Sequence, residues 1–126
     1  VEPWLPVSAD YTTRNVAVQS QDPTSIYNLY RQLLRLRAQT PALHGGAYAP
    51  VDVSAGNCFV YRRQAEGETR LMALNFGDAP VRVSIPSPAR GDILLSTHLD
   101  RTGPAALDAL ELRPYEGVIL AVDSEA

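Results

Sequence analysis

The sequence contains no lysine and only one cysteine in 126 residues. The lone Cys58 excludes an internal disulfide and permits a reducing compartment, so we expect a cytoplasmic protein. Its apolar neighbours predict a structural thiol rather than a nucleophile. The formal net charge is −3, which does not favour a nucleic-acid partner, because nucleic-acid binding usually needs a basic face. No apolar run is long enough to span a membrane, so no membrane partner is expected.

Motifs for metal or cofactor chemistry are also missing. His98 and Asp100 form a His-X-Asp, but a zinc site needs at least three protein ligands. The other histidine, His44, lies in a glycine turn. The sequence has neither a glycine-rich phosphate loop nor a Gly-X-Ser-X-Gly elbow. We therefore predict no metal site, no cofactor and a surface position for His98.

One amphipathic helix is predicted over about residues 23–39, after an irregular loop over residues 1–22. Asp22 suits the N-cap and Pro23 the first helical position. Thr40-Pro41 ends the helix, because the residue before a proline avoids helical geometry, and His44-Gly45-Gly46 makes the turn that follows. The positions that recur at helical spacing are Ile26, Leu29, Tyr30, Leu33, Leu34 and Arg37. A stripe of this kind has to bury against another element.

After residue 46 the hydrophobic pattern changes to a period of two residues, which is typical of strands. The runs cover residues 56–64, 69–76, 81–85, 92–97, 107–112 and 116–122. Glu66-Gly67-Glu68 predicts a tight hairpin turn between the first two runs, and Gly103-Pro104 predicts a break. Short strands at regular spacing favour an antiparallel β-sandwich over residues 44–126, so we expect a mainly β fold with Greek-key connections.

An ordered set of spaced residues occupies the first third of the chain. The set is Pro3-Trp4-Leu5-Pro6-Val7, Tyr11, Asn15-Val16, Gln19, Asp22-Pro23, Ser25, Tyr30-Arg31, Leu33-Leu34 and Leu36-Arg37. It resembles the end of the barrel domain in oligo-1,6-glucosidases and related α-glucosidases of the α-amylase superfamily, glycoside hydrolase family 13. Further segments resemble that family's domain C: Pro41-Ala42-Leu43, Gly46-Ala47-Tyr48, Leu74-Asn75-Phe76 and Leu112-Arg113-Pro114-Tyr115-Glu116-Gly117.

The resemblance implies two domains. Residues 1–43 would be the end of a (β/α)8 barrel with its final helix, and residues 44–126 the carboxy-terminal sandwich. The family cleaves α-glucosidic bonds of oligosaccharides with retention, which needs two carboxyl groups about 5 Å apart. A barrel takes roughly 250 residues, and the family's catalytic residues lie upstream of the matched segment. The chain opens without Met or a secretory signal, so we expect a fragment whose main partner is the missing amino-terminal barrel.

None of the carboxylates in this chain is therefore expected to be catalytic. Glu66 and Glu68 are predicted at the solvated tip of a hairpin. Glu116 precedes an apolar strand and is interpreted as a turn former or a solvated charge. Whether the chain belongs to an enzyme thus depends on the parent protein, which the resemblance implies is a retaining α-glucosidase.

Three residues are candidates for substrate binding: Trp4, Tyr11 and Asn15. They lie on the loop that the resemblance puts along the barrel mouth. A tryptophan between prolines can stack on a sugar ring of an α-gluco-oligosaccharide. Burial of Trp4 under its own loop is the favoured alternative, since it is the commoner fate of a lone aromatic side chain.

Two other hypotheses compete with a structural domain of a glycosidase. A carbohydrate-binding sandwich would present two or three aromatic side chains on one face, and Phe59 and Tyr61 share a face by alternation, although Phe59 is expected in the core. A non-catalytic heavy-chain ectodomain that escorts amino-acid transporters is the other. The chain has no Asn-X-Ser/Thr acceptor for glycosylation, which argues against the extracellular alternative.

Overall fold

The computed structural model describes residues 2–123, so residue 1 of the predicted loop and residues 124–126 of the predicted sandwich lie outside the described residues. Three helices come first: α1 (Val16–Gln21), α2 (Ile26–Gln39) and α3 (Pro41–Gly45). The strands are β1 (Ala47–Val51), β2 (Cys58–Ala65), β3 (Glu68–Asn75), β4 (Val81–Val83), β5 (Arg90–Ser96), β6 (Gly103–Ala106), β7 (Leu110–Leu112) and β8 (Gly117–Val122). The predicted mainly β class is confirmed.

Two antiparallel sheets form the sandwich. The larger sheet has the strand order β1-β2-β3-β8-β5-β6, and the smaller one pairs β4 with β7. β8 returns to lie beside β5, as the last strand of a Greek key does, after β7 has crossed to the smaller sheet. The side chains that pack between the sheets include Val60, Leu71, Ala73, Val83, Ile85, Leu110, Leu112, Val118 and Leu120. The core thus lies on the inner face of the large sheet.

Both edges of the large sheet are strands that the sequence pattern did not predict. β1 contains Pro50 and β6 contains Pro104, and each strand has one neighbour only. Proline lacks the N–H that a ladder needs, so it is confined to edge strands, bulges and strand starts. The prediction of a break at Gly103-Pro104 was wrong, since β6 begins at Gly103. An edge strand tolerates a proline, so Pro104 does not interrupt it.

The long helix begins later than predicted. Ser25 is the N-cap of α2, and its hydroxyl oxygen accepts a hydrogen bond from the backbone N–H of Asn28 at 3.2 Å. Asp22 instead accepts from the backbone N–H and the hydroxyl of Thr24, both at 2.8 Å, so the prediction that it caps the helix was wrong. The predicted end is confirmed, since Thr40 is the C-cap.

Two further short helices replace irregular segments. The predicted loop is helical over α1, and α3 occupies part of the predicted glycine turn. Among the helices of residues 2–123, none combines the length and the apolar character that crossing a bilayer requires. The described part of the amino-terminal third therefore contains three consecutive helices, and α3 is the one that packs on β2 and β3 of the large sheet.

The turn between β2 and β3 offers a clean test of the predicted hairpin, which is confirmed. Ala65 pairs with Glu68, and Glu66 and Gly67 between them have φ values of 53° and 78°. Two positive φ values define a type I′ turn.

We expect Gly67→Ala to lower the free energy of unfolding by about 1 kcal/mol, because a Cβ disfavours the left-handed region. Within residues 2–123, no atom beyond the adjacent residues lies within 4 Å of that Cβ, so the described residues add no steric clash to the effect. Urea denaturation measures it.

Gly45→Ala is the matched control. An added Cβ at Gly45 also meets nothing within 4 Å, and the residue ends α3 without a positive φ. This substitution is expected to be neutral or to stabilise by up to about 1 kcal/mol, since it reduces the entropy of the unfolded chain. Equal losses from both variants would argue against the turn geometry described for Gly67.

Candidate docking surface

The apolar stripe predicted for the helix lies on α2, but none of its residues is fully buried. Ile26, Tyr30 and Leu34 are 69%, 61% and 61% exposed. Side chains four residues apart share one side of a helix, so these three form a continuous apolar strip, which we name the helix face. A strip of this kind on a globular protein normally packs against another element. The helix face is therefore a candidate docking surface.

The loop before α1 adds exposed apolar side chains. Trp4 is 91% exposed, so the expectation that it packs under its own loop was wrong. Tyr11 is 60% exposed. Asn15 differs from both, because its Oδ1 accepts from the backbone N–H of Val18 and its Nδ2 donates to the carbonyl of Tyr11, each at 2.9 Å. Asn15 is thus the N-cap of α1, whereas the rings of Trp4 and Tyr11 are open to a partner.

Polar side chains fix the corner between α1 and α2. The hydroxyl of Ser25 donates to the carbonyl of Gln19 at 2.7 Å, and the Gln19 side-chain oxygen accepts from the backbone N–H of Tyr27 at 3.1 Å. Asn28 Nδ2 donates to the carbonyls of Gln19 and Asp22 at 3.1 and 2.6 Å. Gln19, Asp22 and Ser25 belong to the set that carries the resemblance, and here they hold two helices at a set angle.

A row of aromatic rings lies on the outer face of the large sheet, the face opposite the core. Tyr48 and Tyr61 have ring centroids 5.5 Å apart, and Tyr61 and Phe59 have centroids 5.3 Å apart. Phe59 is 44% exposed, so the expectation that it lies in the core was wrong. Alternation explains the difference, because the neighbouring Val60 points inward and is buried.

The most buried charge among the described residues is Glu116, which is 1% exposed. Its carboxylate accepts from the hydroxyl of Ser96 at 2.7 Å, from the backbone N–H of Arg113 at 2.8 Å, and from the guanidinium groups of Arg101 and Arg113 at 3.1 and 2.7 Å. Arg113 also forms two hydrogen bonds of 2.6 Å with Asp100. The interpretation of Glu116 as a solvated charge was wrong, because four donors surround its carboxylate. Its place in a turn agrees with the structure, since its backbone N–H donates to the carbonyl of Arg113 at 3.1 Å.

The ion cluster around Glu116 controls its protonation. Burial raises the pKa of Glu116, but the hydrogen bonds from Arg113 and Ser96 and the charge of Arg101 outweigh burial and lower the pKa to about 2. The hydrogen bonds from Arg113 likewise hold the pKa of Asp100 below its usual range. A general acid in glycoside hydrolysis needs a raised pKa. Both carboxylates are held ionised, so this cluster is suited to holding strands together rather than to proton transfer.

Glu68 was also predicted at a solvated tip, and this was wrong. One carboxylate oxygen accepts from the backbone N–H of Ala42 at 2.8 Å, and the other pairs with Arg70 at 2.8 Å. Ala42 lies in the first turn of α3, where backbone N–H groups lack intrahelical partners. Glu68 thus ties α3 to the outer side of β3. His98 is exposed as predicted, and residues 2–123 contain no group of three potential metal ligands.

Two of the segments that carry the resemblance in the sandwich, Leu74-Asn75-Phe76 and Leu112-Arg113-Pro114-Tyr115-Glu116-Gly117, meet at one joint. Asn75 is buried, and its Nδ2 donates to the carbonyls of Ala79 and Arg113, both at 2.9 Å. Its backbone N–H donates to the carbonyl of Glu116 at 2.8 Å. A Cβ on Gly117 would lie 2.5 Å from Leu74 Cδ2. The Asn-Phe pair and the turn before β8 therefore form one closely packed contact, which sequence spacing alone did not reveal.

The chain matches one protein family and is similar to several known proteins. Residues 46–119 match a family described as a domain of unknown function, DUF3459. An oligo-1,6-glucosidase of Halalkalibacterium halodurans is 31% identical over 120 residues, which cover 90% of this chain and 21% of that protein. The amino acid transporter heavy chain SLC3A2 of Oryctolagus cuniculus is 37% identical over 132 residues, covering 94% of this chain and 24% of that protein.

A solved structure is also similar to this chain over nearly its whole length. The crystal structure of the trehalulose synthase MutB from Pseudomonas mesoacidophila MX-45 has a TM-score of 0.85 to this chain at 34% identity, and the match covers 97% of this chain and 22% of that chain. The chain spans about a fifth of the length of the curated relatives it matches, and it corresponds to their carboxy-terminal region.

The ion cluster predicts a dependence of stability on pH. We expect Glu116→Gln to lower the free energy of unfolding by about 3 kcal/mol at neutral pH, because breaking a buried ion pair leaves charges uncompensated. The folded-state pKa of about 2 lies below the ordinary value of 4.5, so the unfolded state binds more protons in that interval. The advantage of the wild type should be complete above pH 4.5 and disappear as the pH falls toward 2. Urea denaturation across this range measures it.

Glu111→Gln is the control for this experiment. Glu111 pairs with Arg82 at 2.7 Å, but the two side chains are 70% and 68% exposed, and exposed pairs contribute less than about 1 kcal/mol. Equal stability of the wild type and Glu116→Gln at neutral pH would show that the cluster does not stabilise the fold.

Proposed function

The chain belongs to the DUF3459 family, the carboxy-terminal domain of the α-amylase family, and we propose that it serves as the non-catalytic tail of an α-glucosidase-like glycoside hydrolase. In this proposal the parent protein cleaves α-glucosidic bonds of oligosaccharides with retention, in the cytoplasm, using catalytic carboxylates that precede this chain. The tail stabilises the catalytic barrel. No nucleic acid, membrane, metal or cofactor takes part in that role.

One observation carries the proposal, the uncovered helix face. The sandwich has a complete core of its own, yet α2 exposes Ile26, Tyr30 and Leu34 beside it. The relatives that match this chain are about five times as long, so a partner for the helix face is expected in the same polypeptide. We therefore propose that residues 1–43 end a (β/α)8 barrel, with α2 as its final helix, and that residues 44–126 form the domain that follows.

The test compares two proteins. The 126-residue chain alone should not hydrolyse an α-glucoside such as 4-nitrophenyl α-glucoside. A polypeptide that includes the coding sequence upstream of residue 1 should hydrolyse it with retention at the anomeric carbon, which proton NMR detects. Denaturing mass spectrometry of the native source should find either that longer chain or a companion of several hundred residues. Absence of both, or an inert long polypeptide, would refute the proposal.

A second candidate rests on the heavy-chain relative. SLC3A2 of Oryctolagus cuniculus is 37% identical, so a non-catalytic protein that assembles with an amino-acid transporter is the alternative. The two candidates differ in the upstream carboxylates, which the glycosidase keeps and the non-catalytic protein lacks. Activity of the long polypeptide on the α-glucoside decides between them.

Trp4 and Tyr11 are the proposed contacts with the substrate. In barrel enzymes the active site is built from the loops after the strands. If α2 is the final barrel helix, residues 2–15 belong to the connection that leads into it through α1, and we propose that the two exposed rings lie on the side of that site. Asn15 supports the site indirectly, since its capping contacts with Val18 and Tyr11 fix the loop.

Trp4→Ala in the long polypeptide is expected to raise KM for an α-gluco-oligosaccharide about two- to tenfold, because stacking on an aromatic ring contributes about 0.5–1.5 kcal/mol. Initial-rate kinetics on isomaltose and maltose measure it. Leu5→Ala, in the same exposed loop, is the control and should leave KM unchanged. An unchanged KM in Trp4→Ala would remove Trp4 from the substrate site.

A further inference from the structure

The short helix α3 connects the long helix to the sandwich. It is in close contact with α2 on one side and with β2 and β3 on the other. A gap of about 290 Å³ has Leu34 of α2 and Met72 of β3 in its lining. A second gap, of about 250 Å³, has Gln32 of α2 and Leu94 of β5 in its lining. Because gaps flank α2, its direction relative to the sheet depends on how α3 meets β3.

Thr40 belongs to both helices at this connection. It is the C-cap of α2, where its backbone N–H donates to the carbonyl of Arg37 at 3.4 Å. It is also the N-cap of α3, where its carbonyl accepts from the N–H of Leu43 at 2.9 Å. Thr40 is 4% exposed, and Ala42 is fully buried. Since one buried residue ends α2 and starts α3, a change in the direction of α3 carries the end of α2 with it.

The first turn of α3 is capped from a distant strand. Within the described residues, the Thr40 side chain makes no capping hydrogen bond to α3, and Pro41 has no N–H to satisfy. The N–H of Ala42 donates instead to Glu68 of β3 at 2.8 Å. The other carboxylate oxygen of Glu68 pairs with Arg70 at 2.8 Å, and the two side chains are only 25% and 18% exposed. The cap of α3 is therefore a charged hydrogen bond that is largely shielded from water.

The other end of α3 is fixed as well. The N–H of Gly46 donates to the carbonyl of Ala42 at 3.2 Å, and a Cβ on Gly46 would lie 2.4 Å from that carbonyl oxygen. Gly46 leads directly into β1, which pairs with β2. A side chain of β3 thus holds the start of α3, and the chain that enters β1 holds its end.

We propose that α3 is a rigid joint and that Glu68 is its positioning residue, so that this carboxylate sets the direction in which α2 leaves the sandwich. Glu68 acts through the backbone of Ala42, and Arg70 keeps its side chain in place. This joint is a feature of the 126-residue chain itself, so it goes beyond the proposed function and does not depend on it.

Two spin labels measure the direction of α2. Arg35→Cys provides a label site on an exposed position of α2, and Arg82→Cys provides one on β4, while Cys58→Ala removes the native thiol. Double electron–electron resonance on the 126-residue chain should give one narrow distance peak when Glu68 is present. Glu68→Ala should abolish that single narrow peak, because the N–H of Ala42 then loses its acceptor.

Two further variants calibrate this result. Glu68→Gln keeps one carbonyl oxygen for the N–H of Ala42 but loses the charge that pairs with Arg70, so its peak should be broadened less than that of Glu68→Ala. Glu66→Gln removes an exposed carboxylate two positions away and should leave the peak unchanged.

Hydrogen exchange gives a second readout, in the 126-residue chain and in the long polypeptide. In Glu68→Ala the amide of Ala42 should exchange at least about tenfold faster, because a hydrogen bond to a charged group is lost. The amide of Leu120, in β8 between two neighbouring strands, should keep its rate. NMR measures both amides in the short chain, and mass spectrometry of the peptide that spans residues 41–46 measures the joint in the long one. The long polypeptide provides the exchange test independently of how well the labelled short chain folds.

Three results would overturn the joint. The first is a narrow peak and slow exchange that persist in Glu68→Ala. The second is a broad distance distribution when Glu68 is present. The third is broadening that comes with faster exchange at Leu120, which would show a general loss of stability instead of the release of α3. Hydrolysis of an α-glucoside enters none of these comparisons, so the proposed function can fail while the joint stands, and the reverse.

Discussion

The carboxylate of Glu116 is the contact on which the carboxy-terminal half depends. It joins the end of β5 through Ser96, the following loop through Arg101 and the turn before β8 through Arg113. Taking a charge out of water is costly unless every lone pair finds a donor. Glu116 meets that condition only when the three segments are in their final places, so the cluster favours one arrangement of β5, β7 and β8 over looser alternatives that bury the same apolar surface.

The sandwich and the helices differ in how fully their apolar side chains are covered. Inward-facing side chains of both sheets fill one core, and the ion cluster and the Asn75 joint lock its end. The helices have polar corners and caps that are equally well satisfied, as Asn15 and Ser25 illustrate. What they lack is apolar cover on Ile26, Tyr30 and Leu34. Local hydrogen bonding thus sets the shape of the amino-terminal third, whereas its burial depends on a neighbour.

Local signals in the sequence were enough to predict several features of the fold. The end of α2 at Thr40-Pro41 and the hairpin at Glu66-Gly67 follow from the conformational limits of proline and glycine. The edge strands β1 and β6 were missed because their prolines imitate a break. The position of Phe59 was wrong because a half-buried sheet and a fully buried one give similar short apolar runs.

The roles of the acidic residues lay beyond local reasoning. Glu68 meets Ala42 across 26 positions, and Glu116 meets Ser96 across 20. Only the pairing of distant strands brings such partners together, so residue type and neighbours predict a solvated charge at both sites. The candidate substrate residues Trp4 and Tyr11 came from resemblance, and the structure adds their exposure and the capping role of Asn15.

The prolines of β1 and β6 also limit how this domain can meet other chains. Each terminal strand of the large sheet offers an incomplete row of donors, because Pro50 and Pro104 have no N–H. A strand that pairs with β1 or β6 would lack one backbone hydrogen bond at the proline. This disfavours both β-augmentation by a peptide and edge-to-edge polymerisation. Side-chain recognition across the helical flank is therefore the favoured route of assembly, and growth into fibres through the sheet edges is disfavoured.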